Sequence, residues 1–424
     1  MEKKKPTAAI ISWVLYDFGM AWFSMVVLTA YFILYFKEVV VGGDKGYGDL
    51  LWGITVSTAM TVSVLLSPFL GAIADMRRNK KTFLVVCAAI SIVSTSLLYF
   101  TGPNQTARAM FLVVAGYTGY TVAMTFYNAF LPEIAWSGAV EKISGIGWGV
   151  GYIGGLAALL CMLVLVPSVA GGKVILLLTG AMYAIFALPS FFALKDSREG
   201  AASAPASVID GFQRVAATFR EIRSYRTVFV FLLGYFFVSD AISTVIVFFS
   251  SYTVGTLHFT VRQNFALLMV IQLAAAVGSV ASGIIAKRIG TLRTVTLSIA
   301  VWMGAILGLF AFSGVPAFYA LSVCAGLVLG GTQAAARSFM AMESPPGKQA
   351  EFFGFMTFCS KVAAIFGPLL YGIVSKQTDN PRIAILSLEL FFAAGFIIML
   401  GVPRDRLVAP PSAERQESAP SSPR

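Results

Sequence analysis

Apolar stretches long enough to cross ~30 Å of hydrocarbon recur twelve times along the chain, separated by short breaks rich in charge, proline or glycine. They fall near residues 10–36, 50–74, 82–101, 107–131, 144–167 and 173–194, then 227–254, 263–286, 291–313, 316–341, 352–374 and 382–403. The first follows Met1-Glu2-Lys3-Lys4-Lys5 directly. It is longer than a cleaved signal segment and lacks a small-residue cleavage site, so it reads as a retained span. The longest break, 195–226, divides the spans into six and six. The pattern therefore predicts an N-terminal six-helix bundle over 1–194, a linker over 195–226, a C-terminal six-helix bundle over 227–403 and a disordered cytoplasmic tail over 404–424. Within the linker, Lys195 to Ser207 is rich in Ala, Ser and Pro and reads as flexible. Phe212, Val215, Phe219 and Ile222 then recur at helical spacing, with Arg214, Arg220, Arg223 and Arg226 interleaved. This second part reads as an amphipathic helix in the inner headgroup layer.

Composition narrows the class. The 424 residues are 58% hydrophobic and 12% charged, with a mean hydropathy of +0.81. A soluble domain carries about 45–50% and 25%, so soluble and disordered chains are both excluded. Cys87, Cys161, Cys324 and Cys359 all sit inside apolar runs and form no disulfide framework. His258 is the sole histidine and there is no Cys-x-x-Cys pair, which leaves no histidine metal site; no metal and no cofactor are expected. The chain has no phosphate-binding Gly-rich loop, so direct ATP drive is excluded. With the N-terminus inside, 23 of the 31 Lys and Arg residues lie on the cytoplasmic side and seven in outer loops. That bias predicts two cytoplasmic termini in a plasma (inner) membrane. The net charge of +11 then faces anionic lipid, and no nucleic-acid partner is needed to explain it.

The two halves also repeat. Leu131-Pro132-Glu133 ends the fourth span, Glu141 follows eight residues after Glu133, and Ser144-Gly145 opens the fifth; Met342-Glu343 ends the tenth, Glu351 follows eight residues after Glu343, and Gly354 opens the eleventh. A duplicated six-helix unit predicts such spacing, and two halves rocking about a midplane site give alternating access.

Specific motifs now carry a resemblance. Gly71-Ala72-Ile73-Ala74-Asp75-Met76-Arg77-Arg78-Asn79-Lys80-Lys81 resembles the loop signature between spans two and three of the major facilitator superfamily. It differs by Met76 where a basic residue is usual and by Arg78 where glycine is usual. Gly283 to Arg293 resembles its degenerate second copy. Trp13-Val14-Leu15-Tyr16-Asp17-Phe18, Leu131-Pro132-Glu133-Ile134, Gly151-Tyr152-Ile153-Gly154-Gly155, Gly330-Gly331-Thr332-Gln333-Ala334 and Glu351-Phe352-Phe353-Gly354-Phe355 are similar to the vacuole-effluxer (autophagy-type, amino-acid effluxer-like) branch. The resemblance covers nearly the whole chain. It implies an all-α membrane protein with 12 transmembrane helices in two pseudo-symmetric six-helix bundles, the major facilitator fold. It also implies that spans one and seven line a central pathway.

Ionisable groups at membrane depth cost at least about 2.5–3.5 kcal/mol on insertion scales, so each needs a reason. Asp17 lies about 10 Å along the first span and Asp240 about 20 Å along the seventh, which the resemblance makes equivalent helices. Either can take a proton, pair with Lys361 or bond to a tyrosine such as Tyr16 or Tyr235. Lys361, in the eleventh span, can hold a substrate carboxylate or neutralise an aspartate. Asn128, Gln272 and Gln333, with Tyr16, are neutral groups at plausible substrate- or proton-binding positions, although a polar helix face is as often interhelical glue. Asp75, Arg77, Glu133, Arg337 and Glu343 sit at inner helix ends and read as gating or state-latch elements. Glu389 in the twelfth span should face the periphery if the superfamily layout holds, and reads as structural or oligomer-related. Gly147, Gly151 and Gly155 form a ridge for close helix approach. Trp13, Trp22, Trp52, Trp136 and Trp148 read as interface anchors.

These features predict no enzyme. A lipid- or polyprenyl-modifying enzyme would need a nucleophile, metal or acid–base cluster that the sequence lacks. They predict a monomeric secondary transporter of a small-molecule polar solute, with amino acids as one class and protons as a candidate coupling ion. A sugar or amphiphilic, lipid-like substrate and a transport-inactive sensor or scaffold remain the alternatives.

Overall fold

The computed structural model describes residues 7–43, 45–77, 79–134, 140–196, 220, 222–312, 315–344 and 349–403. The predicted linker helix and tail lie mostly outside them. Among the described residues the secondary structure is entirely helical. Twelve helices are long and apolar enough to cross a membrane. The first six are α1 (Thr7–Val40), α2 (Gly46–Gly71), α3 (Lys80–Phe100), α4 (Thr106–Leu131), α5 (Ile146–Leu165) and α6 (Ala170–Ala193). The second six are α7 (Arg226–Gly255), α8 (Val261–Ile289), α9 (Thr291–Ala311), α10 (Pro316–Glu343), α11 (Phe352–Thr378) and α12 (Pro381–Leu400). Backbone groups in hydrocarbon have no water to bond, and a helix satisfies them within its own segment.

The twelve predicted spans match these helices closely, with one instructive exception. The first was expected to stop at residue 36 and the second to begin at 50, but α1 runs to Val40 and α2 starts at Gly46. Lys37 and Asp49, assigned to a loop by their charge, are therefore helical and buried. α1 reaches this length through two π-helical stretches, Ser24–Ala30 and Phe36–Val40, which interrupt its α-helical hydrogen bonding. Phe23, Val26, Phe32 and Tyr35 are all buried on it, so it is a core helix. This corrects the tryptophan reading. Trp13, Trp22 and Trp52 are at most 2% exposed and pack inside the bundle, and Trp13 satisfies its indole N–H on the Tyr127 carbonyl at 2.9 Å. Trp148 is exposed, and Trp136 lies outside the described residues.

Helix packing repeats with a shift of six. α1 packs on α5 and α6, α2 on α4, and α3 on α4 and α6; α7 packs on α11 and α12, α8 on α10, and α9 on α10 and α12. The two sets meet along α2–α11 and α5–α8, a pair of seams that the same shift interchanges. The α2–α11 seam is very close: a Cβ on Gly53 would overlap the Pro368 carbonyl, and one on Gly372 would sit 2.9 Å from the Asp49 carbonyl. Ser57 of α2 adds a hydrogen bond to the Ile365 carbonyl at 2.7 Å.

α11 is broken. Its helical segments Gln349–Ala363 and Phe366–Thr378 are separated by a turn at Ala364 and Ile365. Pro368 has no N–H to give the Ala364 carbonyl and its ring crowds that carbonyl. The N–H of Gly367 goes instead to Asp240 of α7, at 2.9 Å. α12 has a similar junction at Leu388, between Pro381–Ser387 and Glu389–Leu400.

Candidate functional site

Three ionisable side chains stand at or beside the contact between the two helix sets, and each is held differently. Asp17 of α1 is half-buried, and its Oδ2 accepts a hydrogen bond from the Tyr127 hydroxyl of α4 at 2.8 Å. The Tyr127 ring stacks on Trp13 at 4.4 Å and on Tyr16 at 4.9 Å, so the hydroxyl that reaches Asp17 is fixed by aromatic packing. α5 comes up against this cluster because it presents glycine. A Cβ on Gly147 would lie 2.7 Å from the Trp13 ring and 2.8 Å from Asp17 Oδ2. Gly151 faces Asp17 one turn further on, and Gly155 faces the Gln272 amide of α8. The predicted glycine ridge thus serves both neighbours.

Tyr16 corrects its expectation. It is completely buried, and its hydroxyl bonds that of Tyr183 on α6 at 2.9 Å. It belongs to the packing of the first helix set and presents no surface to a solute.

Asp240 of α7 is completely buried. One carboxylate oxygen accepts from the Gly367 N–H, and the other has no hydrogen-bond donor among the described residues. Thr244, one turn along, bonds the Asp240 main-chain carbonyl at 2.9 Å and presses on the same glycine. Asp240 is therefore the acceptor that caps the second segment of the broken α11, where helix N–H groups lack internal partners. Any side chain at 367 would collide with this cap.

Lys361 lies three residues before the break. It is half-buried, and its ammonium crosses to the other helix set to bond Thr125 Oγ1 at 2.9 Å and the Thr121 carbonyl at 3.4 Å, both on α4. Among the described residues no carboxylate lies within ion-pair distance, so in this conformation Lys361 neutralises neither Asp17 nor Asp240. Thr125 and Tyr127 are two residues apart, so the anchors of Lys361 and Asp17 differ by only about 3 Å along α4.

The remaining candidates scatter. Gln272 and Gln333 are half-buried and Asn128 is exposed, and none of the three makes a hydrogen bond among the described residues. Arg337 is exposed, with its guanidinium 5.4 Å above the Trp148 ring of α5, another contact between the sets. Glu133 pairs with Lys80 at 3.0 Å, joining α3 to the end of α4. Glu343 is half-buried at the end of α10. Asp75 and Arg77 lie in the helical continuation of α2, but their side chains are outside the described residues. Glu389 is not simply peripheral: both its carboxylate oxygens are buried without a hydrogen-bond donor among the described residues. Sequence reasoning overlooked Thr125, Lys37, Asp49, Ser251 and Ser375. The signal available for Asp49 was the small-residue row Gly46, Gly53 and Ser57 around it, which marks one face of α2 for close contact.

Known proteins share this architecture and sequence. A family model described as vacuole effluxer Atg22 like matches residues 51–140 and 136–409. An MFS-type transporter of Bacillus subtilis (strain 168), YxiO, is 29% identical over 406 residues, covering 93% of this chain and 94% of its own. Autophagy-related protein 22 of Yarrowia lipolytica is 24% identical over 453 residues, covering 84% and 76% respectively. Among solved structures, a mutant of the nucleoside transporter NupG superposes with a TM-score of 0.73 at 12% identity, over 93% of this chain and 100% of that one. A D-xylose-proton symporter superposes with a TM-score of 0.69 at 13% identity, over 94% and 96%. The structural likenesses establish the fold; the sequence relatives are transporters, not enzymes.

Proposed function

The chain belongs to the vacuole effluxer Atg22-like family, a branch of the major facilitator transporters, and on that premise we propose that it carries a small polar solute bearing an acidic group, amino acids foremost, by proton-coupled alternating access. It is an integral, multi-pass secondary transporter. The observation that supports the substrate class is Lys361. An ammonium held only by neutral oxygens, at the contact between the helix sets, attracts a carboxylate and gains a charge-assisted bond when one arrives. Its bonds to α4 are then exchanged for bonds to the solute, which loosens one link between the sets while the solute makes another. Asp17, at nearly the same depth, is the natural partner for a solute ammonium.

Asp240 supports the proton. A fully buried carboxylate with one hydrogen bond and no cation partner among the described residues is costly as an anion. Taking a proton removes that charge and weakens its hold on Gly367, at the break beside Lys361. The distribution of Lys and Arg supports an orientation with both termini in the cytoplasm.

Proteoliposome exchange with radiolabelled amino acids tests the reading. Wild-type protein should exchange an acidic-group solute that sugars and nucleosides do not displace. Lys361→Gln should reduce exchange at least about tenfold, equivalent to ~1.4 kcal/mol, while Lys361→Arg retains part of it. Wild-type exchange in Lys361→Gln, or displacement by neutral sugars alone, overturns the substrate class.

A further inference from the structure

One buried charge pair lies outside the candidate site, where α1, α2, α7 and α11 meet at the Lys37 end of the bundle. Lys37 of α1 and Asp49 of α2 form an ion pair, with Asp49 completely buried and Lys37 only 7% exposed. Ser251 of α7 donates to Asp49 Oδ1 at 2.9 Å and accepts from the Lys37 ammonium. Ser375 of α11 donates to Asp49 Oδ2 at 2.7 Å. Both carboxylate oxygens are thus occupied, and both hydroxyl donors come from the second helix set. Space for the cluster comes from missing side chains. A Cβ on Gly48 would press on the Lys37 stem at 3.1 Å, and one on Gly46 would lie 2.9 Å from the Ser375 carbonyl.

We propose that this cluster is a detachable latch that sets how readily this end of the transporter opens, with Ser251 and Ser375 as its releasable half. The two charges sit on neighbouring helices of one set, so they move together. When the sets part here, water replaces two hydroxyls on a carboxylate whose counter-ion stays in place. Neither charge is left alone in apolar surroundings, the outcome that makes splitting a buried pair so unfavourable. An ion pair spanning the two sets would strand both partners at each opening. The division of labour, charges on one side and hydroxyls on the other, makes a contact that is specific when closed and inexpensive to release. Lys37, Asp49, Ser251 and Ser375 act as positioning residues, since they hold a conformation and touch no solute in the reading above. The proposal depends on alternating access but not on the identity of the solute or the role of Lys361.

The test uses the full-length chain with its four cysteines replaced and spin labels at Gln105→Cys and Gln377→Cys, exposed positions flanking the cluster on opposite helix sets. Pulsed electron paramagnetic resonance in lipid nanodiscs, without solute, reads the distance across this end. The parent should give one dominant short distance. Ser251→Ala/Ser375→Ala removes only the hydroxyls and should raise the weight of a longer distance at least about threefold. Ser239→Ala, whose hydroxyl bonds only within α7, should leave the distribution unchanged. Parental distances in the serine double variant overturn the latch. If that variant does not fold, the neutral pair Lys37→Met/Asp49→Leu serves in its place, because it also removes the carboxylate acceptor; parental distances there overturn the proposal equally.

Discussion

Asp17 and Asp240 sit on α1 and α7, equivalent helices of a duplicated unit, yet the structure treats them as opposites. Asp17 is half-buried and bonded to the tip of a side chain, Tyr127, that aromatic stacking steadies. Asp240 is completely buried and bonded to main chain, the Gly367 N–H at the break of α11. A change of charge on Asp17 alters one hydroxyl contact. The same change on Asp240 alters the cap of a helix. In the reading proposed above, the half-buried carboxylate would meet the solute and the buried one would convert protonation into helix geometry.

The sharpest way to break this contrast is to neutralise each carboxylate. Asp240→Asn should reduce uptake driven by a proton gradient at least about tenfold while leaving solute exchange largely intact, measured in proteoliposomes. It should also flatten the pH dependence of exchange, because an amide can neither take up nor release the proton. Asp17→Asn should leave gradient coupling in place and raise the solute concentration needed for half-maximal exchange by about threefold. The contrast inverts if Asp17→Asn loses coupling and Asp240→Asn keeps it.

Backbone proximity gives a second, smaller test. Gly367→Ala places a methyl group against Thr244 and Asp240, and should lower stability by about 1–3 kcal/mol, read as a drop in melting temperature in detergent. Both glycines face side-chain atoms, but a Cβ on Gly147 would stand further from Trp13 and Asp17, at 2.7 and 2.8 Å, than one on Gly367 from Thr244 and Asp240, so the melting temperature of Gly147→Ala should fall less. The smallest effect is expected from Tyr127→Phe. It keeps the stacked ring and removes the hydroxyl on Asp17, with a cost of about 1 kcal/mol and exchange within about twofold of wild type.

Much of the fold was legible because hydrocarbon imposes length on apolar runs, and the duplication was legible because Glu133–Glu141 and Glu343–Glu351 repeat one spacing. The failures have a common cause. A span-finding rule treats a charge as a cost without seeing its partner, so Lys37 and Asp49 were cut into a loop although each neutralises the other inside the bundle. The same blindness applies to Asp240, whose donor is 127 residues away in sequence, and to Lys361, whose partners are 236 and 240 residues away. Tyr16 shows the converse. Its neighbour Asp17 suggested a shared role, but successive residues on a helix point about 100° apart: both pack on Tyr127, yet the Tyr16 hydroxyl bonds that of Tyr183 while the Asp17 carboxylate takes the Tyr127 hydroxyl. Tryptophans misled because ring packing inside the bundle outweighs their usual place at a lipid interface: the Trp13 indole N–H finds an acceptor there, whereas those of Trp22 and Trp52 are buried with none among the described residues.

The fracture in α11 makes that span a crank with two arms. One arm ends in the ammonium that grips α4, and the other carries Gly372 and Ser375, which seat on Asp49. With Ala364 and Ile365 as the fulcrum, neither arm can swing relative to the other without disturbing one of those two grips. If the proposed solute contact and latch hold, cargo at the middle of the membrane and the seal at its rim would be joined through this one jointed span, and Asp240 rests its carboxylate beside the joint.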